Sequence, residues 1–412
     1  MIDVLIVGAG PAGTVAAAVL ARQGARVRLV DRARFPRDKL CGDTINPGTL
    51  ALLRRLGLSA AIEERGLTVH GMRVTGEHGV VVEGRYPRGL SGRALMRRDV
   101  DWALVRSAID AGAAFEPAVL VRRAIVAETA DRRAVGGVLV GARGVAAGVD
   151  RTLRARVTIA ADGRRSTLAF GLGLARHPAR PRRWAVGAYF EDAAGVSTLG
   201  EMHIRRGRYI GIAPVPGGLT NVCVVRPFQH GDPSFGDPAT VLREELAREP
   251  LLRDRFAGAR LAQSPVVLGP LAVDVAGAPI DGLLLAGDAA GFIDPMTGDG
   301  LRFAVRGGEL AAQAALEALG DGWLGVHERL ASRRRQEFGA KWRFNRALRA
   351  LVASPHAVGA ATLGAGLAPG LLHAAIAHAG DCVLALGGQS PVPMSAGEGM
   401  QAQAEGMGPR RT

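Results

Sequence analysis

The sequence predicts an α/β fold: a twisted parallel sheet wrapped by helices, a mostly antiparallel sheet inserted into it, and a C-terminal group of helices. Three observations predict this. The first thirty or so residues run strand, glycine turn, helix, strand. Two later segments each pass from an apolar strand into a turn, Asp-Gly in one and Gly-Asp in the other, and then a helix. Between them, alternating polar and apolar runs are punctuated by Gly and Pro.

The first element rests on IDVLIVGAGPAGTVAAAVLARQGARVRLVDR. Ile2 to Val7 is a nearly continuous apolar run, as expected of a parallel strand buried on both faces. Gly8, Gly10 and Gly13 then fit GxGxxG, with Pro11 and Ala12 inside the motif. The first glycine permits a tight turn, the second lets backbone approach a pyrophosphate, and the third lets helix pack on strand. Pro11 suits the first helical position, and Gly24 suits the cap after an alanine-rich helix reaching about Gln23. Arg26 to Val30 forms the second strand and ends in Asp31, whose carboxylate can accept hydrogen bonds from an adenosine ribose, with Arg32 following. This register predicts a Rossmann-like dinucleotide site.

Two further segments refine it. RVTIAADGRRSTLAFGLGL, Arg156 to Leu174, is a strand leading into Asp162-Gly163 and a helix-like run. GLLLAGDAAGFIDPMTGDGLRFAVRGGELAAQAAL, Gly282 to Leu316, is a strand ending in Gly287-Asp288, then a loop and a long helix. Asp288 would meet a ligand at the carboxyl end of its strand, where open α/β sheets bind theirs. PMTGDG, beginning at Pro295, opens a helix whose first amides are unpaired and carry positive partial charge.

Together the three segments resemble the flavoprotein fold of p-hydroxybenzoate hydroxylase and its relatives. The resemblance implies FAD as cofactor, with Gly8, Gly10, Ala12, Gly13, Asp31 and Arg32 at its nucleotide end. It implies Gly287 and Asp288 at the ribityl chain, and Pro295, Gly298, Asp299, Gly300 and Leu301 at the isoalloxazine. Arg97, in MRRDVDWAL, matches an arginine that contacts the phosphate region, with Arg98 beside it as the rival. Asp162 is matched too, mainly in a structural role. A helix start facing the N1–C2=O edge would stabilise the negative charge of reduced flavin.

Within that fold, GDAAGFIDPMTGDGLRFAVRGGELAA and the run Lys39, Leu40, Cys41, Gly42 look like the geranylgeranyl reductase branch. Aromatic hydroxylases carry a histidine where Gly291 stands. The resemblance implies NAD(P)H as electron donor and reduction of a C=C bond in a lipophilic small molecule. The alternative is an FAD monooxygenase hydroxylating a small hydrophobic or aromatic substrate. A third reading, a flavin-fold binding protein without redox activity, is opposed by intact Asp31, Asp288 and PMTGDG. Halogenases of this architecture need a lysine in the stretch corresponding to residues 65–85 and a Trp-x-Trp-x-Ile-Pro signature; both are absent. Cys41 would be carried towards the flavin and substrate cavity, as cofactor neighbour and candidate catalytic group; Lys39 would pair with phosphate or a carboxylate. The branch's aromatic Y-x-W-x-F-P strand is here GRYIGIAPVPGG, which keeps Tyr209 and Pro214 but has Gly211 and Ala213 for the bulky residues, implying a wider pocket. Tyr209 is the second candidate catalytic group, with His70 and His203 as further polar candidates.

The expected division is an FAD-binding domain at 1–64, 96–174 and 276–320, a β-sheet substrate domain at 65–95 and 175–275, C-terminal helices at 321–389, and a disordered tail from Ser390 to the end. Composition sets the outer limits. The 412 residues suit two to three domains, 48% hydrophobic and 22% charged being ordinary globular values. Lys39 and Lys341 are the only lysines in a chain of net charge +14. Scattered arginines with 4% aromatics exclude a nucleic-acid partner. Three widely spaced cysteines exclude a disulfide framework and a metal site, and point to a reducing compartment. With no secretory leader and no bilayer-length apolar run, a cytoplasmic location is expected. The basic C-terminal helices have two readings: a layer packed on the flavin domain, or an anionic-membrane contact through Arg333, Arg334, Arg335 and Arg346. The oligomeric state is left open by the sequence.

Overall fold

The computed structural model describes residues 2–128, 133–142, 150–179, 183–227, 236–354 and 369–387. The expected tail from Ser390 lies outside the described residues.

Apolar strands build the central sheet in the order Ala114–Pro117, Val27–Asp31, Ile2–Val7, Arg151–Ala160, all parallel. Leu283–Leu285 adds a further parallel pairing to the end of Arg151–Ala160. An antiparallel pair, Arg133–Ala142 and Val119–Glu128, extends the other part of that strand. Ile2–Val7 sits centrally, and its Leu5 and Ile6 are fully buried, facing opposite sides. On the Ile6 side pack three helices: Pro11–Arg22, Arg97–Asp110 and Gly300–Asp321. Pro11–Arg22 and Gly300–Asp321 approach so closely that a Cβ on Gly308 would overlap the Ala12 carbonyl.

The second sheet runs in the order Arg260–Leu261, Arg183–Glu191, Leu219–Pro227, Arg208–Val215, Leu199–Arg205, Gly71–Thr75, Val81–Arg85, with Val266–Leu268 also on Arg183–Glu191. It is antiparallel except where Leu199–Arg205 meets Gly71–Thr75 in parallel. Strand alternation divides its faces. Phe190, Ile210, Val222 and Val224 pack on the helices Pro238–Ala247 and Pro250–Phe256. Ala185, Tyr209 and Val225 face the other way, onto Met296 and the helix Val326–Ala353 through Leu348, Leu351 and Val352.

Val326–Ala353 folds back along Gly300–Asp321, and the helices Pro369–Ala379 and Cys382–Gly387 complete this side. Of the four arginines in the membrane reading, Arg333 pairs with Glu317 while staying partly exposed, and Arg334 donates to the Ala290 carbonyl at 2.8 Å, burial pulling its pKa down to about 10. Arg335 and Arg346 remain exposed. Among the described residues no helix is long and apolar enough to cross a membrane.

Candidate functional site

The glycine turn forms first. Gly8 has φ +101°, and a Cβ there would overlap the Ala161 carbonyl. A Cβ on Gly13 would overlap the Gly8 carbonyl. Gly10 differs: only the Arg37 guanidinium, 3.8 Å away, comes near the position a Cβ would take. The side of the turn that a pyrophosphate would approach is therefore open. Asp31, at the strand tip, accepts the Ala9 and Ala33 amides, one on each carboxylate oxygen at 2.8 Å. Arg32 is exposed, within electrostatic reach of Asp162 and Arg164. Asp162 accepts the Thr167 amide at 2.7 Å, while its other oxygen is shielded and lacks a partner; burial raises its pKa.

A buried charge cluster lies beside this turn. Arg97 is 4% exposed and grips Asp101 at 2.8 to 3.1 Å, and Arg37 holds the same carboxylate at 3.0 Å. Arg98 is instead turned out towards Asp38, 3.3 Å away. Lys39 joins the cluster: burial and then Arg97 push its pKa down, while Asp288 and Asp101 pull it back. Thus Lys39, Arg97 and Asp288, far apart in sequence, converge. The thiol of Cys41 lies against the Arg97 guanidinium.

The loop after Asp288 supplies the next part. Asp294 fixes it, accepting the Met296 amide at 3.0 Å, the Tyr209 hydroxyl at 2.5 Å and an Arg183 N–H at 3.3 Å. Gly298, at φ +70°, has nothing within 4 Å of a would-be Cβ. Asp299 and Gly300 open the helix, and Leu301 is buried beneath them.

A cavity of about 190 Å³ adjoins this loop. One wall is Gly42, Thr44 and Asn46; another is Pro295, Met296, Thr297 and Gly298. The sheet contributes Met72, Met202, Gly211, Ala213, Asn221 and Cys223, and the C-terminal helices close it with Phe344, Leu348, Ile376 and Gly380. Its surface is mostly apolar. Gly211 and Ala213 face it where bulkier side chains would fill it.

Some expected residues sit elsewhere. Tyr209 is not among the lining residues: it shares the face of Gly211 and Ala213 but is packed at 2% exposure, its hydroxyl on Asp294, which with burial raises its pKa. Tyr209, a candidate catalytic group in the sequence, thus sits behind the cavity wall with its hydroxyl engaged by Asp294. His203 bonds Thr75 at 2.9 Å and Glu201 at 3.1 Å, and is a satisfied sheet residue; His70 also lies outside the lining. Cys41 is half-buried, its neighbour Gly42 lining the cavity while its own carbonyl accepts from Asn221 at 2.9 Å.

Two residues escaped the sequence reading. Asp43, with φ +52° and 1% exposure, accepts the Arg97 amide at 3.0 Å and, on its other oxygen, Tyr189 O–H and Asn221 N–H, both at 2.6 Å. Burial outweighs these bonds and pushes its pKa up to about 7. Asn221 lines the cavity directly in front of it. The signal for Asp43 was its place in Lys-x-Cys-Gly-Asp; nothing local marked Asn221.

The room at Gly10 and Gly298, and the buried Arg97 with half-buried Lys39 and Arg37 near Asp288, fit an elongated diphosphate cofactor with a flat ring at the loop. Comparison with known proteins agrees. Residues 1–322 match the family model described as FAD binding domain. The chain is 33% identical to menaquinone reductase of Mycobacterium tuberculosis (strain ATCC 25618 / H37Rv) over 76% of each chain. It is 30% identical to digeranylgeranylglycerophospholipid reductase 2 of Methanopyrus kandleri, over 83% of this chain and 84% of that one. Among solved structures, a geranylgeranyl bacteriochlorophyll reductase-like protein from Thermoplasma acidophilum superposes with TM-score 0.73 at 22% identity, covering 86% and 89%. The myxobacterial chondrochloren halogenase superposes at 0.75 with 21% identity, covering 83% and 81%, a likeness of fold.

Proposed function

The chain belongs to the FAD-binding-domain family of flavoproteins, in its geranylgeranyl reductase-like branch, and from that premise we propose that this FAD-dependent oxidoreductase uses NAD(P)H to saturate a C=C bond of a lipophilic substrate. The observation that carries the reading is the apolar cavity, which ends on the loop Pro295–Gly298 and whose one lining carboxylate, Glu201, is tied up by Arg255 and His203. FAD, when bound, supplies the two-electron chemistry, passing hydride from the donor to the substrate.

The chain supplies the rest. Gly8, Gly10, Ala12 and Gly13 hold the pyrophosphate, Asp31 and Arg32 the ribose end, and Lys39 and Arg97 the phosphate charge. Asp162 shapes the neighbouring turn. Gly287 and Asp288 take the ribityl chain, and Pro295, Gly298, Asp299, Gly300 and Leu301 the ring edge, where the amides of a helix start favour developing negative charge. Met72, Met202 and Ile376 exclude water from the substrate. Hydride addition to an alkene also needs a proton. That proton comes from the medium; Asp43 orients Asn221 at the cavity wall, its Oδ2 accepting from the amide and from Tyr189, and the Cys41 carbonyl holds the same amide.

The test is anaerobic mixing of the yellow holoprotein with NADPH or NADH, then with polyprenyl lipids. The expected result is bleaching of the flavin, followed by recovery of colour on lipid addition and a product heavier by two hydrogens. Turnover that stops without oxygen and consumes it in step with substrate would establish the monooxygenase instead.

A further inference from the structure

We propose that Lys341 is a positioning residue for the redox chemistry: its buried ammonium neutralises Asp299 and so preserves the positive start of the helix Gly300–Asp321. The inference rests on the flavin ring being placed against that helix start, as proposed above.

Only two basic residues of the 52 in this chain are lysine, and Lys341 is 4% exposed. Its Nζ lies 2.9 Å from Asp299 Oδ1, 3.1 Å from the Ala379 carbonyl and 3.3 Å from Asp381 Oδ1, and it also donates to the His378 carbonyl. Four oxygens converge on one point, which suits a compact ammonium and not a planar guanidinium. Asp381 has a second cation, Arg302, at 3.2 Å. Asp299 is fully buried, and Lys341 is the cation the structure gives it.

Asp299 is an odd residue to find there. It stands at the helix N-cap, yet its side chain makes no capping bond, and its Oδ2 is buried without a partner. Burial raises its pKa and Lys341 holds it back. A lone carboxylate there would itself draw on the helix dipole and would oppose any second negative charge arriving beside it. Reduction of FAD places such a charge at the ring's pyrimidine edge. With Lys341 in place, the pair is neutral and the amides of Gly298 to Gly300 act alone. The competing role is a staple: Lys341 bonds the turn after Pro369–Ala379, which Asn46 and Gly48 also hold through the Ala379 and Gly380 carbonyls at 3.0 Å. A staple would move stability and leave the redox balance untouched.

The experiment measures the midpoint potential of bound FAD anaerobically against a reference dye, with FAD affinity, in Lys341→Met, Asp299→Asn and the double variant. Lys341→Met should weaken reduced relative to oxidised FAD by about tenfold, about 30 mV downward for a two-electron couple. Asp299→Asn should move it upward, and the double variant should return to within about twofold of the native balance. A native potential in Lys341→Met beside a raised one in Asp299→Asn would reduce Lys341 to a staple. If neither single variant moves the potential while both retain FAD, the placement of the ring has failed. Should Lys341→Met not fold, the double variant, which leaves no lone buried charge at this contact, decides: a native-like potential supports the proposal, and one displaced as in Asp299→Asn overturns it.

Discussion

At the scale of single residues, Asp43 carries the clearest consequence. Its carboxyl titrates at about 7 in the folded chain and near the ordinary value of about 3.9 in the unfolded one. Between those values the native state holds a proton the unfolded state has released. The stability that this proton confers is full below about pH 4 and is lost as pH rises through about 7, at up to ~1.4 kcal/mol per pH unit. Asp43→Asn removes that slope. The amide would set its own N–H₂ against the Asn221 donor, so the variant should be less stable at pH 5 by ~1–2 kcal/mol, with the gap closing towards pH 8. Thermal unfolding at several pH values checks this; curves that stay parallel would contradict it. The glycines of the turn were legible because backbone sterics choose them locally. The Asp43–Asn221 bond joins residues 178 apart in sequence, a separation no periodicity spans. Tyr209 was legible as a strand residue, but its partner Asp294 was not.

At the scale of elements, the strands and helices followed from period and punctuation. The helix Pro11–Arg22 and the strand Val27–Asp31 lie within a residue or so of their expected ends. What periodicity could not supply was partnership. Leu199–Arg205 pairs in parallel with Gly71–Thr75, because the sheet is assembled from separated stretches of chain. The contact between Pro11–Arg22 and Gly300–Asp321 is likewise non-local, and it depends on Gly308. Gly308→Ala should gain up to ~1 kcal/mol of helix propensity and lose more to the collision with the Ala12 carbonyl. A net destabilisation of ~1–2 kcal/mol in urea unfolding is expected; an equal or more stable variant would show that the two helices part without cost.

At the scale of the whole molecule, the cavity is bounded by residues from Gly42 to Gly380, so nearly the full chain must fold before it exists. The apolar walls were foreseeable from composition, but the closure by Phe344, Leu348 and Ile376 was not, since a helical layer can be expected from the sequence without showing which side chains it turns to the cavity. The junction at Lys341 also makes the assembly easy to interrogate. An endoproteinase that cuts only after lysine has two sites in this sequence, one half-buried and one sealed among carbonyl oxygens. The folded protein should resist it, and the first scission seen on gentle warming should fall after Lys341 if the terminal helices detach before the sheet opens. Early scission after Lys39 alone would mean the loop beside the glycine turn is the weaker seam. The scarcity of one amino acid thus gives this architecture a built-in reporter of which part lets go first.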